Sequence, residues 1–362
     1  TERDKAATTS TLKDNESAQQ GTETTGSGSK VAIAAAAGVL VLDDDARATV
    51  AAGRRLELGG DLTLSATSSS DFSARGLGNT LDVTKLQDSA KVGIGVGVGL
   101  AITRNDTQAA IGAGSQIVRA GNIAVSATSA QNTSPGFAYK LAAEGVAGAG
   151  AEKVGIAGAL AVANSESTTE ASIGDEVRIG DIDGGTRVGN VRVSADNTSK
   201  LAAKAWSAAL AGKVGVGASI AVLVSDNTYR AWIGREAEIA AMSLEVAGRN
   251  HAITGPAAFD WSLEGLEDRF TEANLQLLLG QNNYYTETIA GAGSNQVAVT
   301  GAFSVNVFED TTEAGIDADA RVSTTGAVDL IASNASTAKA FAGGISAAGK
   351  VGVGVASADI AN

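Results

Sequence analysis

The strongest constraint on this chain is a phrase that returns about every 60 residues. Lys-Val-(Gly/Ala)-(Ile/Val) begins at Lys30, Lys91, Lys153, Lys213 and Lys350, and Gln296 heads a variant. Successive starts are 61, 62, 60, 83 and 54 residues apart, which marks an insertion in the fourth unit and a deletion in the fifth. A period of this length is the signature of stacked units that bury one continuous core. In the second unit the phrase continues as Lys91 to Ile102, with Val92, Ile94, Val96, Val98, Leu100 and Ile102 alternating against Gly93, Gly95, Gly97, Gly99 and Ala101.

Each unit repeats the same order. The alternating phrase is followed by a polar break, such as Asp43-Asp44-Asp45 or Asn105-Asp106-Thr107, which reads as turn chemistry. A short Ala-x-(Ile/Val) strand comes next, then a second alternating strand such as Gly121 to Ala127. A Ser/Thr/Asn-rich link and an Ala-rich stretch lead to the next unit. Period-2 patterning throughout argues β-structure. A helix is excluded for these phrases, because glycine at alternate positions would cost about 1 kcal/mol each relative to alanine. The expected fold is all-β: a parallel β-helix of 60-residue repeats. With three coils per repeat, about 18 rungs would form a rod of roughly 85 Å. The array spans 30–362, and the polar segment 1–29 is expected to be a loosely packed first rung. In such a solenoid the β-branched face points inward. The glycine face is then either soluble filler on a stiff fibre or a smooth surface for a second backbone, whether a neighbouring filament or an extra strand layer.

Composition narrows the function. The chain has 362 residues, 45 Gly, 2 Pro, no Cys and a formal net charge of −13. Disulfides, zinc thiolate sites and cysteine nucleophiles are excluded. Lys and Arg form no basic stripe, so nucleic acid is a poor partner. The longest apolar run, Ala32 to Leu42, is too short to span a bilayer as a helix, and no membrane insertion is expected.

The phrases "KVGIGVGVGLAITRND", "AAIG" and "GNIAVSATS", with their copies over about 30–360, resemble the repeats of filamentous-haemagglutinin-like adhesins. The closest likeness is to leukotoxin-family filamentous adhesins, which are large secreted bacterial proteins. That resemblance implies export to the bacterial cell surface, a right-handed parallel β-helix and service as an adhesive stalk. It implies a receptor or glycan on a host or neighbouring cell as partner, and it brings no catalytic residues and no cofactor. Lateral self-association through the Gly/Ala faces is a further expectation.

Residues 251–295 depart from the repeat. Leu263, Leu266, Phe270, Ala273 and Leu277 have helical spacing, with Asp260 or Ser262 to cap the start and Gly280 to end it, so one helix is expected over about 260–279. It either covers the side of the solenoid or displays Trp261, Phe270, Tyr284 and Tyr285 as a binding surface. His251, the only histidine, has no nucleophile pattern near it. Asp43, Asp44, Asp45, Asp106, Asp226 and Asp310 recur at one place in successive units, as solvated turn residues do. Calcium binding there is the weaker reading, since the Gly-Gly-x-Gly-x-Asp phrase is absent. The expected function is a non-enzymatic adhesin or stalk module. The alternative is a carbohydrate-active β-helix protein, either lyase- or hydrolase-like or glycan-binding.

Overall fold

A computed structural model describes residues 31–69, 72–81, 90–130, 141–252 and 282–362. The first rung holds β1 (Val31–Val50), β2 (Arg55–Glu57), β3 (Leu62–Ser68) and β4 (Phe72–Asn79). The second holds β5 (Val92–Ile111), β6 (Gln116–Arg119), β7 (Ile123–Ala130) and β8 (Leu141–Ala151). The third holds β9 (Val154–Ile173), β10 (Arg178–Ile179), β11 (Val188–Thr198) and β12 (Leu201–Ala211). The fourth holds β13 (Val214–Ile233), β14 (Glu238–Asn250) and β15 (Tyr284–Ser294). The fifth holds β16 (Val297–Ile316), β17 (Arg321–Thr324), β18 (Val328–Asn334) and β19 (Ala338–Ala348), and β20 (Val351–Ala361) opens a sixth.

All these strands pair in parallel with their counterparts one repeat away. Val31 lies opposite Val92, Val92 opposite Val154, and Val214 opposite Val154 and Val297. The result is a parallel β-solenoid with three walls. A six-stranded sheet (sheet I) runs β1-β5-β9-β13-β16-β20, a nine-stranded sheet (sheet II) is built on β6, β10, β14, β11 and β7, and a five-stranded sheet (sheet III) runs β19-β15-β12-β8-β4.

The coil count differs from the expectation. Partners are 61 or so residues apart, so each repeat makes one wide coil rather than three. Six strands at about 4.8 Å make a body roughly 25 Å tall along its axis, not a rod of roughly 85 Å. The polar break is the reason. Asn105, Asp106 and Thr107 lie in the middle of the 20-residue β5, not in a turn. Their neighbours on adjacent rungs hold the backbone extended, and Asn105 and Thr107 point inward where other side chains satisfy them. The turn comes after the Ala-x-Ile phrase, at Gly53, Gly114, Glu176, Glu236 and Asp319, all with φ between 55° and 66°.

The inward face is also the opposite of the expected one. In β5 it is Gly93, Gly95, Gly97, Gly99 and Ala101 that are buried, while Val92, Ile94 and Val96 are half-buried or exposed. Sheet III lies directly against this face. A Cβ on Gly95 would sit 2.7 Å from the carbonyl carbon of Gly148, and one on Gly97 would sit 2.6 Å from that of Val146. As β5 advances by two residues its partner in β8 falls back by two, so the strands cross antiparallel across the layer. The second backbone that approaches the glycine face is therefore the chain's own. Lateral association through that face is closed off by the fold.

The cross-section tapers. Between sheets I and III the filling is mostly alanine, including Ala101, Ala143, Ala149, Ala161 and Ala203. Between sheets I and II the gap is wide enough for Ile111, Ile117, Val125, Ile173, Ile179 and Val193, all at most 1% exposed. One strand serves both regions because its inward residues change from Gly and Ala to Ala and Ile along its length. The expected first rung at 1–29 and the helix at 260–279 lie outside the described residues. Within 251–295 the repeat resumes at β15, which pairs with β12 from Leu201–Tyr284 onward.

Candidate functional site

Three places carry chemistry: the outer face of sheet I, the outer face of sheet III, and a polar column inside. The outer face of sheet I has two halves. Over the first eleven residues of each strand the outward side chains are almost all apolar. Ile33, Val96, Ile156, Ile220, Val299 and Val353 are 37–61% exposed. Beyond them lies a charged row in register, Asp43, Arg104, Glu166, Asp226 and Glu309. Before them, Lys91, Lys153, Lys213 and Lys350 line the opposite rim at the strand entries. Trp232 closes the far end, its ring over Gly315 and the Arg230 guanidinium 4.4 Å from its centroid.

Charges on the outer faces are used between rungs. Arg47 bonds Asp106 at 2.8 Å, Arg230 lies 3.3 Å from Glu313, and Glu238 is approached by Arg178 at 3.6 Å and Arg321 at 3.1 Å. On sheet III, Arg75, Glu144, Lys204 and Glu287 stand in one row with alternating sign. Each exposed pair contributes at most about 1 kcal/mol, yet a one-residue slip would break the whole row. Among the described residues no group of three His, Cys, Asp or Glu side chains is close enough to hold a metal ion.

The sheet III row ends on an unusual carboxylate. Glu287 is only 1% exposed, accepts a 2.7 Å hydrogen bond from the Tyr285 hydroxyl, and leaves Oε1 without a partner. Burial pushes its pKa above the usual carboxylate value, with the Tyr285 hydrogen bond and the Lys204 charge pulling the other way. The Lys204 ammonium sits 5.9 Å from the Tyr285 ring centroid.

Inside, Asp44, Asn105, Ser167, Asn227 and Asp310 form a register column down sheet I. Ser68, Asn197, Asn250 and Asn334 approach it from sheet II. Ser68 donates to Asp44 and Asn105 donates to Ser68, both at 2.8 Å. Asn227 Nδ2 donates to Tyr284 Oη at 2.7 Å and to Asp310 Oδ1 at 2.9 Å, and Tyr284 Oη donates to Asp310. Asn250 donates to the other Asp310 oxygen at 3.1 Å. Burial and the Asp310 carboxylate raise the Tyr284 pKa far above its ordinary value. A cavity lined by Asn105, Ser167, Asn227, Tyr229 and Tyr284 runs beside this column.

The four side chains expected to form a binding surface are not brought together as one. Trp261 and Phe270 lie outside the described residues. Tyr284 and Tyr285 are consecutive in a strand and so point to opposite faces. Tyr284 points inward and stacks on Phe308 with centroids 4.5 Å apart, while Tyr285 is on the outward side of β15 and yet 0% exposed. Neither presents an open ring. His251 lies at the surface, 3.5 Å from the Asp196 carboxylate. The recurring acids separate by parity: Asp43, Asp45, Asp106 and Asp226 face out, and Asp44 and Asp310 face in. Sequence reasoning missed Glu287 and Trp232, for which only register with neighbouring rungs gives a signal. No protein-family model, curated protein or solved structure matches the chain.

Proposed function

We propose that this chain is a non-enzymatic structural and adhesive module, a stiff β-solenoid segment of a bacterial surface protein that presents broad sheet faces to a receptor or glycan on another cell. The observation that carries this reading is the unbroken register of sheet I, in which 20-residue strands pair residue for residue from β1 through β16. Such a body resists bending, and ion pairs such as Arg47–Asp106 and Arg230–Glu313 tie its rungs together. Beads coated with the full chain should bind cells or immobilised glycans saturably and release no product. Absence of saturable binding to any cell or glycan surface would remove the adhesive half of the proposal.

A second reading, a carbohydrate-active β-helix protein, draws on Glu287, whose burial favours the protonated form that a general acid uses. Incubation with acidic and neutral polysaccharides separates the two. Turnover that is lost in Glu287→Gln supports the enzyme and rejects the stalk.

A further inference from the structure

Among the described residues, a large apolar surface on sheet I is left without a partner. The first eleven residues of six adjacent strands, at about 4.8 Å between strands and about 3.3 Å per residue, cover roughly 1,000 Å². A typical soluble monomer's largest apolar patch is about 300–600 Å². The surface is dominated by outward Val, Ile, Leu and Phe side chains, such as Val39 at 63%, Ile220 at 42% and Phe303 at 44% exposure, with Asn164, Ser357 and Asp359 as its polar members. Their glycine-lined reverse side is already used against sheet III, so this is the face on which a second layer can still pack.

We propose that this face binds the same face of a second copy of the chain, in a two-fold dimer whose axis runs along the solenoid. Two observations select a second copy. The first is area: two such faces bury about 2,000 Å² together, above the roughly 1,600 Å² of a standard stable interface. Facing β-sheets pack about 10 Å apart with interdigitated side chains, the arrangement β-branched rows suit. The second is charge. A two-fold along the solenoid axis lays each strand antiparallel over the same strand of the other copy. The lysine rim of one copy then meets the acidic rim of the other on the third and fourth rungs, and on the fifth the neutral Gln296 meets Glu309. Lys153 and Glu166 are 13 residues apart, as are Lys213 and Asp226 and also Gln296 and Glu309. Lys153 therefore reaches Glu166 of the second copy, and Lys213 reaches Asp226. The second rung is the exception, since Lys91 would meet Arg104. An anionic lipid surface fits less well, because one rim is carboxylates at all but Arg104 and the chain carries a net charge of −13. The proposal rests on the sheet I face alone and holds whether or not the chain is an adhesin.

Sedimentation equilibrium of the full chain tests it. The expected mass is twice 35.9 kDa. The variant Ile156→Lys/Ile220→Lys changes only exposed positions, so it should keep the wild-type circular dichroism and melting temperature while sedimenting as a monomer. Lys213→Glu should weaken the dimer roughly fivefold, and adding Asp226→Lys should restore it, because the pair is reconstituted across the axis. A wild-type chain that is monomeric at about 100 μM overturns the proposal, whether or not it floats with neutral phosphatidylcholine vesicles, and flotation would assign the face to lipid. A folded double-lysine variant that dimerises like wild type overturns it too. Failure of Asp226→Lys to restore the affinity that Lys213→Glu removes overturns the two-fold arrangement.

Discussion

Two glycines on neighbouring rungs of sheet I should respond to the same substitution with opposite sign. Gly97 in β5 faces inward, and Gly158 in β9 faces outward. An added methyl at Gly97 would lie 2.6 Å from the carbonyl carbon and 2.7 Å from the nitrogen of Val146, where ordinary contact begins at 3.4 Å. The neighbour is backbone, fixed by pairing to Leu77 on one side and Trp206 on the other. The carbonyl oxygen of Val146 lies closer still, so relief needs sheets I and III to part by more than about 0.8 Å, a gap that forfeits at least about a quarter to a half of the dispersion attraction across it. With overpacking costing about 1–3 kcal/mol in ordinary cores, Gly97→Ala should destabilise by about 3 kcal/mol. At Gly158 a methyl would meet nothing within 4 Å. Alanine there removes only the extra chain entropy of glycine, and Gly158→Ala should stabilise by about 0.5–1 kcal/mol. Urea unfolding of the full chain, followed by circular dichroism, measures both. Equal midpoints for the two variants, or a Gly97→Ala chain at least as stable as wild type, would refute the backbone-to-backbone packing of the two sheets.

Three further outcomes follow from particular residues. Glu287 binds its proton more tightly folded than unfolded, so its contribution is most favourable below the unfolded value of 4.5 and declines as pH rises toward the folded value; Glu287→Gln should flatten that decline and raise the melting temperature at neutral pH. Glu236 holds φ at 55°, a left-handed conformation that Gly53 and Gly114 fill at the same corner of earlier rungs, so Glu236→Gly should gain about 1 kcal/mol in urea unfolding. Asn227→Ala removes a buried donor to both Tyr284 and Asp310 and should cost about 2–3 kcal/mol by the same measurement.

Much of this architecture is legible in the sequence. The repeat marks the rung, and strict alternation marks the strands. Which face lies inside is harder to read, because Val92 to Ile102 offers two uniform faces and hydrophobicity alone favours burying the valines. The decisive clue is steric. Glycine weakens a strand unless something must approach closely, and Gly95 and Gly97 meet the backbone of sheet III. The coil count was hidden by Asn105-Asp106-Thr107, whose residue types suit a turn but whose neighbours on both sides hold it extended. The polar column that satisfies Asn105 joins residues from three sheets and has no local signature. Tyr284 and Tyr285 look like a surface doublet in one dimension. In a strand, one of any two consecutive side chains must point inward.

One coil per repeat underlies every packing relation in this fold, and a single distance tests it. Ala37 and Ser357 stand in the same outward row, five strand spacings apart through Val98, Leu160, Ile220 and Phe303. The chain has no native cysteine, so Ala37→Cys/Ser357→Cys accepts two spin labels cleanly. In a sample diluted with unlabelled chain, double electron–electron resonance should give about 24 Å, five steps of about 4.8 Å. A distance near 70 Å, the span of some 15 coils, would contradict the account.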